Sequence, residues 1–191
     1  MAKAKKKKIG IVDIVVLGVL VVCLVLSIVG LSIDQWTTTE EVFGKTGDVS
    51  FGDYSEIVAE KNEVKGDTND ALGDDIMGGL DDIFGDSELA QDAKAKEAKL
   101  DAMVAFGYIT VILVAVTLVL YVLKMFLKAG LFRFLVLVAG ALTLLSGVLA
   151  IAMTAAFCGE ALLIGAGAAL LAVGGMLGGL AGGASFFLSK K

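Results

Sequence analysis

The sequence predicts a membrane all-α bundle of four transmembrane helices, with a small extracellular β-sheet and an acidic amphipathic extracellular helix. Three observations predict it. Of the 191 residues 57% are hydrophobic, and they gather in four long runs. Nearly all the charge lies between those runs, where a soluble domain would mix the two. Basic and acidic residues also occupy different inter-run segments.

The first run, 9–32, follows a basic N-terminal segment, 1–8, that holds Lys3, Lys5, Lys6, Lys7 and Lys8. It is longer than the apolar core of a signal peptide and lacks a small-x-small cleavage site, so an uncleaved spanning helix is predicted. A hydrocarbon core of about 30 Å needs roughly 20 helical residues, which this run supplies with some tilt. The remaining runs are 103–123, 131–157 and 161–188.

Ten of the 16 basic residues lie in the N-terminus, around the loop 124–130 (Lys124, Lys128 and Arg133) and in the C-terminus 189–191 (Lys190 and Lys191). Asp13 is the one acidic residue near them. The positive-inside rule therefore places both ends and the middle loop in the cytosol, an arrangement that four spans satisfy and three do not. Segment 33–100 then lies outside, with 18 acidic and six lysine residues, and 158–160 forms only a short outer turn. A plasma-membrane location is the expectation.

Segment 33–100 has two halves. Thr37, Thr38, Thr39, Val42, Phe43, Val49, Phe51 and Tyr54, punctuated by Gly44, Gly47 and Gly52, predict two or three short strands over about 36–58. Beyond Asn62 the pattern becomes helical, over about 73–100. Ile76, Leu80, Ile83 and Phe84 fall at i, i+4, i+7 and i+8, one face of an amphipathic helix that offers an ectodomain interaction stripe.

The composition offers little for catalysis. Histidine is absent, which removes the commonest neutral-pH acid/base group and zinc ligand. The two cysteines, Cys23 and Cys158, form no metal cluster, and a disulfide between them is not expected. Asp67, Asp70, Asp74, Asp75, Asp81, Asp82 and Asp86 invite a calcium reading, but Ala71 and Leu72 break the alternation a calcium loop needs. A solvated acidic helix face accounts for them better. Asp13 sits five positions past Lys8, near the headgroup level, where an ion pair with the lysines or a bond to a neighbouring helix explains it. Thr110, Thr117, Thr143, Ser146 and Thr154 are expected to bond back to their own helix carbonyls. No enzyme, no cofactor, no metal and no nucleic-acid partner is predicted.

Span four is dense in glycine. Gly174, Gly175, Gly178, Gly179, Gly182 and Gly183 contain four pairs spaced four apart, the spacing that lets helix backbones approach closely. This face predicts packing within the bundle and contact with another copy or a partner subunit. The N-terminal lysines suit anionic lipid as well as a topology signal.

Together these features resemble the claudin and peripheral-myelin-protein superfamily of four-span proteins. Trp36 follows span one directly, in Asp34-Gln35-Trp36, where that family places a tryptophan. Phe51-Gly52-Asp53-Tyr54-Ser55-Glu56-Ile57 is similar to the family's Gly-Leu-Trp-x-x-Cys, with Gly52 kept, Tyr54 for the tryptophan and Ile57 for the first cysteine. The lead from Gln91 to Met103, the small residues of span three and the glycines of span four also follow the family pattern. The family's ectodomain cysteine pair is missing, so Ile57 is expected to pack where the disulfide would sit. Trp36 and Tyr54 are expected to anchor the sheet at the membrane interface. The resemblance implies a non-catalytic tetraspan that associates laterally with other membrane proteins in the lipid bilayer, as an accessory subunit or membrane-domain organiser. The alternative it implies is a self-assembling junction former or cation-conducting protein of the claudin type.

Overall fold

The computed structural model of the chain describes residues 10–39, 48–60, 88–127, 130–159 and 162–188. In order, the elements are α1 (Ile11–Ser32), β1 (Thr37–Thr39), β2 (Asp48–Val49), a helix α2 over 51–60, α3 (Glu88–Phe126), α4 (Gly130–Cys158), β3 (Leu162–Ile164) and α5 (Ala166–Leu188). Four of these helices, α1, α3, α4 and α5, are long and apolar enough to cross a membrane. The 22 residues of α1 reach ~33 Å, enough for a hydrocarbon core. The β-branched residues that fill α1 are indifferent helix formers in water. In lipid the backbone has no other way to satisfy its amides, and the helix follows.

The chain divides into two compact units: Met1–Ile28, Ile109–Val148 and Leu170–Lys191 form the first, and Val29–Tyr108 with Leu149–Ala169 the second. In the first, parts of all four long helices pack around Val16, Leu20, Tyr121 and Val136, with Leu118, Met125 and Ala181 against them.

The second unit holds a three-stranded antiparallel sheet in the order β2-β1-β3. Thr37 pairs with Val49 on one side and with Ile164 on the other. Trp36, fully buried, sits beside this central strand. Its backbone N–H donates to Val49 O at 2.9 Å, and its carbonyl accepts from Gly165 N at 2.8 Å. Its indole N–H donates to Met103 Sδ at 3.4 Å, which ties the sheet to α3.

Two expectations are corrected here. Leu162–Ile164 begins the fourth apolar run, which was expected to be helical from 161, yet it is a strand and α5 starts only at Ala166. Three apolar residues read equally as strand or buried helix, and pairing with β1 decides. The strand expected to include Phe51 and Tyr54 is instead α2. Its start is a capping box. Ser50 Oγ accepts from the Asp53 N–H at 3.1 Å, and Asp53 Oδ2 accepts from the Ser50 N–H at 2.9 Å. Phe51, Tyr54 and Val58 then fall on one helical face, the first two buried and Val58 partly so.

At its far end α4 stops at Gly159, whose φ of 56° is the left-handed conformation that ends many helices. The Gly159 N–H donates back to Ala155 O at 3.1 Å.

The Asp53 carboxyl is held below its usual pKa by the Ser50 hydroxyl and then by the Ser50 backbone N–H. A lowered pKa makes the carboxylate stabilising at neutral pH, with that contribution lost as pH falls below the usual 3.8 and through the folded value. Acidification should therefore loosen α2 and shift the fluorescence of Trp36, the chain's one tryptophan. In Asp53→Asn that acid step should disappear, and Ser50→Ala should cost ~1 kcal/mol at neutral pH.

Candidate functional site

The glycine face of α5 is where the sequence concentrates its interaction residues, and the first unit places five of the six against the chain's own helices. A Cβ at Gly178 would meet Cys23 Cβ at 3.4 Å, and one at Gly174 would strike Ser27 Oγ and the Cys23 carbonyl, all on α1. Toward α3, a Cβ at Gly175 would lie 2.7 Å from Thr110 Cγ2 and one at Gly182 would lie 2.8 Å from Thr117 Cγ2.

The α4 contact is backbone on backbone. A Cβ at Gly179 would lie 2.5 Å from Leu144 N and 2.6 Å from Gly140 O. Opposite it, a Cβ at Gly140 would lie 2.8 Å from Gly183 N, and one at Gly147 would lie 3.0 Å from Met176 N. Gly183 itself meets nothing within 4 Å along its own Cβ direction. The face expected to meet a partner as well as the bundle is thus taken up by the bundle at Gly174, Gly175, Gly178, Gly179 and Gly182.

Polar side chains lie between these helices and satisfy one another. Thr117 and Thr143 share a hydroxyl bond of 2.8 Å between α3 and α4. Thr143 and Thr154 also donate to the carbonyls four residues back, at 2.7 and 2.8 Å, as expected for hydroxyls in apolar helices. Asp13 bonds to a neighbouring helix: Tyr121 Oη donates to its Oδ1 and its carbonyl, each at 3.3 Å.

Lys124 is the residue that sequence reasoning missed. It was read as a boundary charge, but it is buried, and its Nζ donates to the Ser185 carbonyl at 2.9 Å and Oγ at 3.1 Å. That carbonyl belongs to the last turn of α5, where carbonyls lack helical partners and favour a cation. The ammonium also lies 5.1 Å from the centre of the Tyr121 ring. Tyr121 three residues before Lys124, and Ser185 near the end of the last span, were the available signals.

The family-pattern residues lie in the second unit. The Trp36 and Phe51 rings are 4.6 Å apart, and Phe51 meets Tyr108 edge-on at 5.1 Å. Gly107 allows this, since a Cβ there would lie 2.5 Å from the Phe51 ring. Tyr54 is buried, shares a 2.6 Å hydroxyl bond with Thr37 and packs edge-on against Phe157 at 5.3 Å. Burial pushes its phenol pKa up. Trp36 and Tyr54 therefore act as core residues rather than as interface anchors. Ile57, expected to fill the place of a disulfide, is half exposed, because it faces away from the Phe51–Tyr54 side of α2. Gly52 is exposed too. Cys23 and Cys158 are free and buried.

Ile76, Leu80, Ile83, Phe84 and the aspartates from Asp67 to Asp86 lie outside the described residues. Among the described residues, no three His, Cys, Asp or Glu side chains come together to hold a metal. On α3, Ile112, Ala115, Val116, Val119 and Leu120 line a shallow groove that is apolar throughout. No protein-family model, curated protein or solved structure matches the chain.

Two substitutions separate the roles along α5. Gly179→Ala should cost ~1–3 kcal/mol, because the new methyl meets Leu144 N, Gly140 O and Leu144 Cβ, and none of these can turn aside. Gly183→Ala should leave the thermal midpoint in mild detergent unchanged or raise it, since alanine is the better helix former by ~1 kcal/mol. At the Asp13–Tyr121 pair, Tyr121→Phe should cost ~1 kcal/mol by removing the bond to Asp13.

Proposed function

We propose that the protein is a non-catalytic, claudin-like tetraspan that associates laterally with other membrane proteins, as an accessory subunit or an organiser of a membrane domain. The observation that carries this reading is the use made of the buried polar side chains. Thr117 and Thr143, Asp13 and Tyr121, and Lys124 and Ser185 bond to one another across helices. Groups committed in this way hold helices together and are not poised for proton transfer or ion coordination.

The lateral surface is then the outward apolar side of the long helices. The groove around Ala115 on α3 offers a seat within it, because a small residue among Ile112, Val116 and Val119 lets another helix come close. This replaces the glycine face of α5 as the first place to look for a contact. The acidic segment 33–100 and the stripe of Ile76, Leu80, Ile83 and Phe84 would supply a second surface outside the membrane, with both chain ends in the cytosol. Trp36 directly after α1, buried against the sheet, supports the claudin-like placement.

The test is the mass and composition of the complex extracted from its native membrane in mild detergent. A stoichiometric larger partner is the expected result, lost on Ala115→Trp with the Trp36 environment preserved. A ladder of this chain alone would replace the accessory reading with self-assembly, and cation conductance would become the property to measure. A monomer in every mild detergent would refute both.

A further inference from the structure

Three charged side chains occupy the described part of the first unit, and two of them lie against the same ring. Asp13, in the first turn of α1, and Lys124, in the last turn of α3, both meet Tyr121, while Arg133 is exposed on α4. The Tyr121 hydroxyl donates to Asp13 Oδ1 and to the Asp13 carbonyl, and the Lys124 ammonium lies 5.1 Å from the centre of the ring. That ammonium donates in turn to the carbonyl and hydroxyl of Ser185 on α5. Ser185 Oγ donates to Gly182 O at 2.7 Å, so its one proton is committed there and its lone pairs receive the lysine. Among the described residues the Asp13 side chain takes its hydrogen bonds from Tyr121 and from the Gly10 N–H. The α1 carboxylate therefore reaches the last turn of α5 through two residues of α3.

A lysine in the last turn of a spanning helix can extend its flexible stem and leave its charge in water. Lys124 instead points inward and is buried. Giving up hydration is costly, and three groups offset that cost: the two Ser185 oxygens, the face of the Tyr121 ring, and the opposite charge of Asp13 beyond it. A phenol that donates to a carboxylate gains electron density in its ring, which strengthens its hold on a cation. Unlike charges also attract more strongly where water is excluded. The carboxylate thus favours the inward position of an ammonium that it does not touch.

We infer that Asp13, Tyr121, Lys124 and Ser185 form a two-position latch, in which the carboxylate of α1 holds the Lys124 ammonium on the last turn of α5. In the closed position the ammonium caps the Ser185 carbonyl. In the open position it extends to water, the carbonyl loses its partner, and the last turn of α5 frays. Asp13 is the half-buried member, whereas Tyr121, Lys124 and Ser185 are buried. A cation or basic group that captured the Asp13 carboxylate would therefore release the end of α5 from a distance.

The experiment follows amide hydrogen exchange, residue by residue, in the full chain in mild detergent. Asp13→Asn, which keeps a polar side chain and removes its charge, should speed exchange over residues 186–188 about fivefold. Exchange over Thr37–Thr39 in the second unit should stay unchanged. Tyr121→Phe keeps the ring, removes the hydroxyl and should give the same acceleration. Combining the two should add nothing further, because both break one link. Lys124→Met should speed exchange at least as much and cancel the effect of Asp13→Asn, and the Asp13 and Tyr121 variants keep the test decisive if Lys124→Met misfolds. Unchanged exchange over residues 186–188 in Asp13→Asn would overturn the inference, as would additive effects of Asp13→Asn and Tyr121→Phe. Equal acceleration over Thr37–Thr39 would mean general loosening of the chain and overturn it as well.

Discussion

The backbone of α5 lies directly on the backbone of α4, and the packing of the first unit depends on that approach. Gly179 sits against Leu144 N and Gly140 O, and Gly140 and Gly147 return the contact to Gly183 and Met176. Between apolar helices in lipid there is no hydrophobic driving force, because acyl chains are as apolar as leucine. Close van der Waals contact and interhelical hydrogen bonds must hold the helices instead. Glycine supplies the first by removing the side chain that would separate the backbones. Because Gly174 and Gly178 serve α1 while Gly175 and Gly182 serve α3, one helix becomes the common neighbour of the other three.

The hydrogen bonds follow from the same approach. Gly182 lets α5 close on Thr117, and the Thr117 hydroxyl in turn meets Thr143 on α4. Near the end of α5 the unpaired Ser185 carbonyl would be costly in an apolar setting, and Lys124 answers it from α3. A charge that marks a span boundary in the sequence thus also caps a neighbouring helix. The Asp13 carboxylate is held by Tyr121 and Gly10.

In the second unit a different constraint applies. The sheet is short, three residues at most in each strand, and strands of that length need a packed face to persist. Trp36 provides it by bonding through its backbone to both β2 and the turn before α5 while its ring fills the space beside Phe51 and Met103. Gly165 and Gly167 admit this, since a Cβ on either would collide with the backbone of α1's exit at Gln35 or Gly30. The tryptophan was legible in the sequence as a marked position. Its burial was not, because an aromatic residue just beyond a span suits a lipid interface and a packed core equally well.

What the sequence by itself determined was the set of membrane-crossing segments, because about twenty apolar residues in a row is a local property and bilayer thickness gives it meaning. Boundaries that depend on local chemistry were also within reach. The Ser50–Asp53 capping box was readable, although the strand-forming residues around it drew the opposite reading. Tertiary structure alone decided that Leu162–Ile164 pairs with β1, that Ile57 faces outward, and that Gly174, Gly175, Gly178, Gly179 and Gly182 of α5 pack against the chain's own helices. It also decided where Lys124 points. Each of these depends on which face of one element meets another far along the chain. Residue spacing specifies that a face exists, and only the packing of all the helices specifies what lies against it.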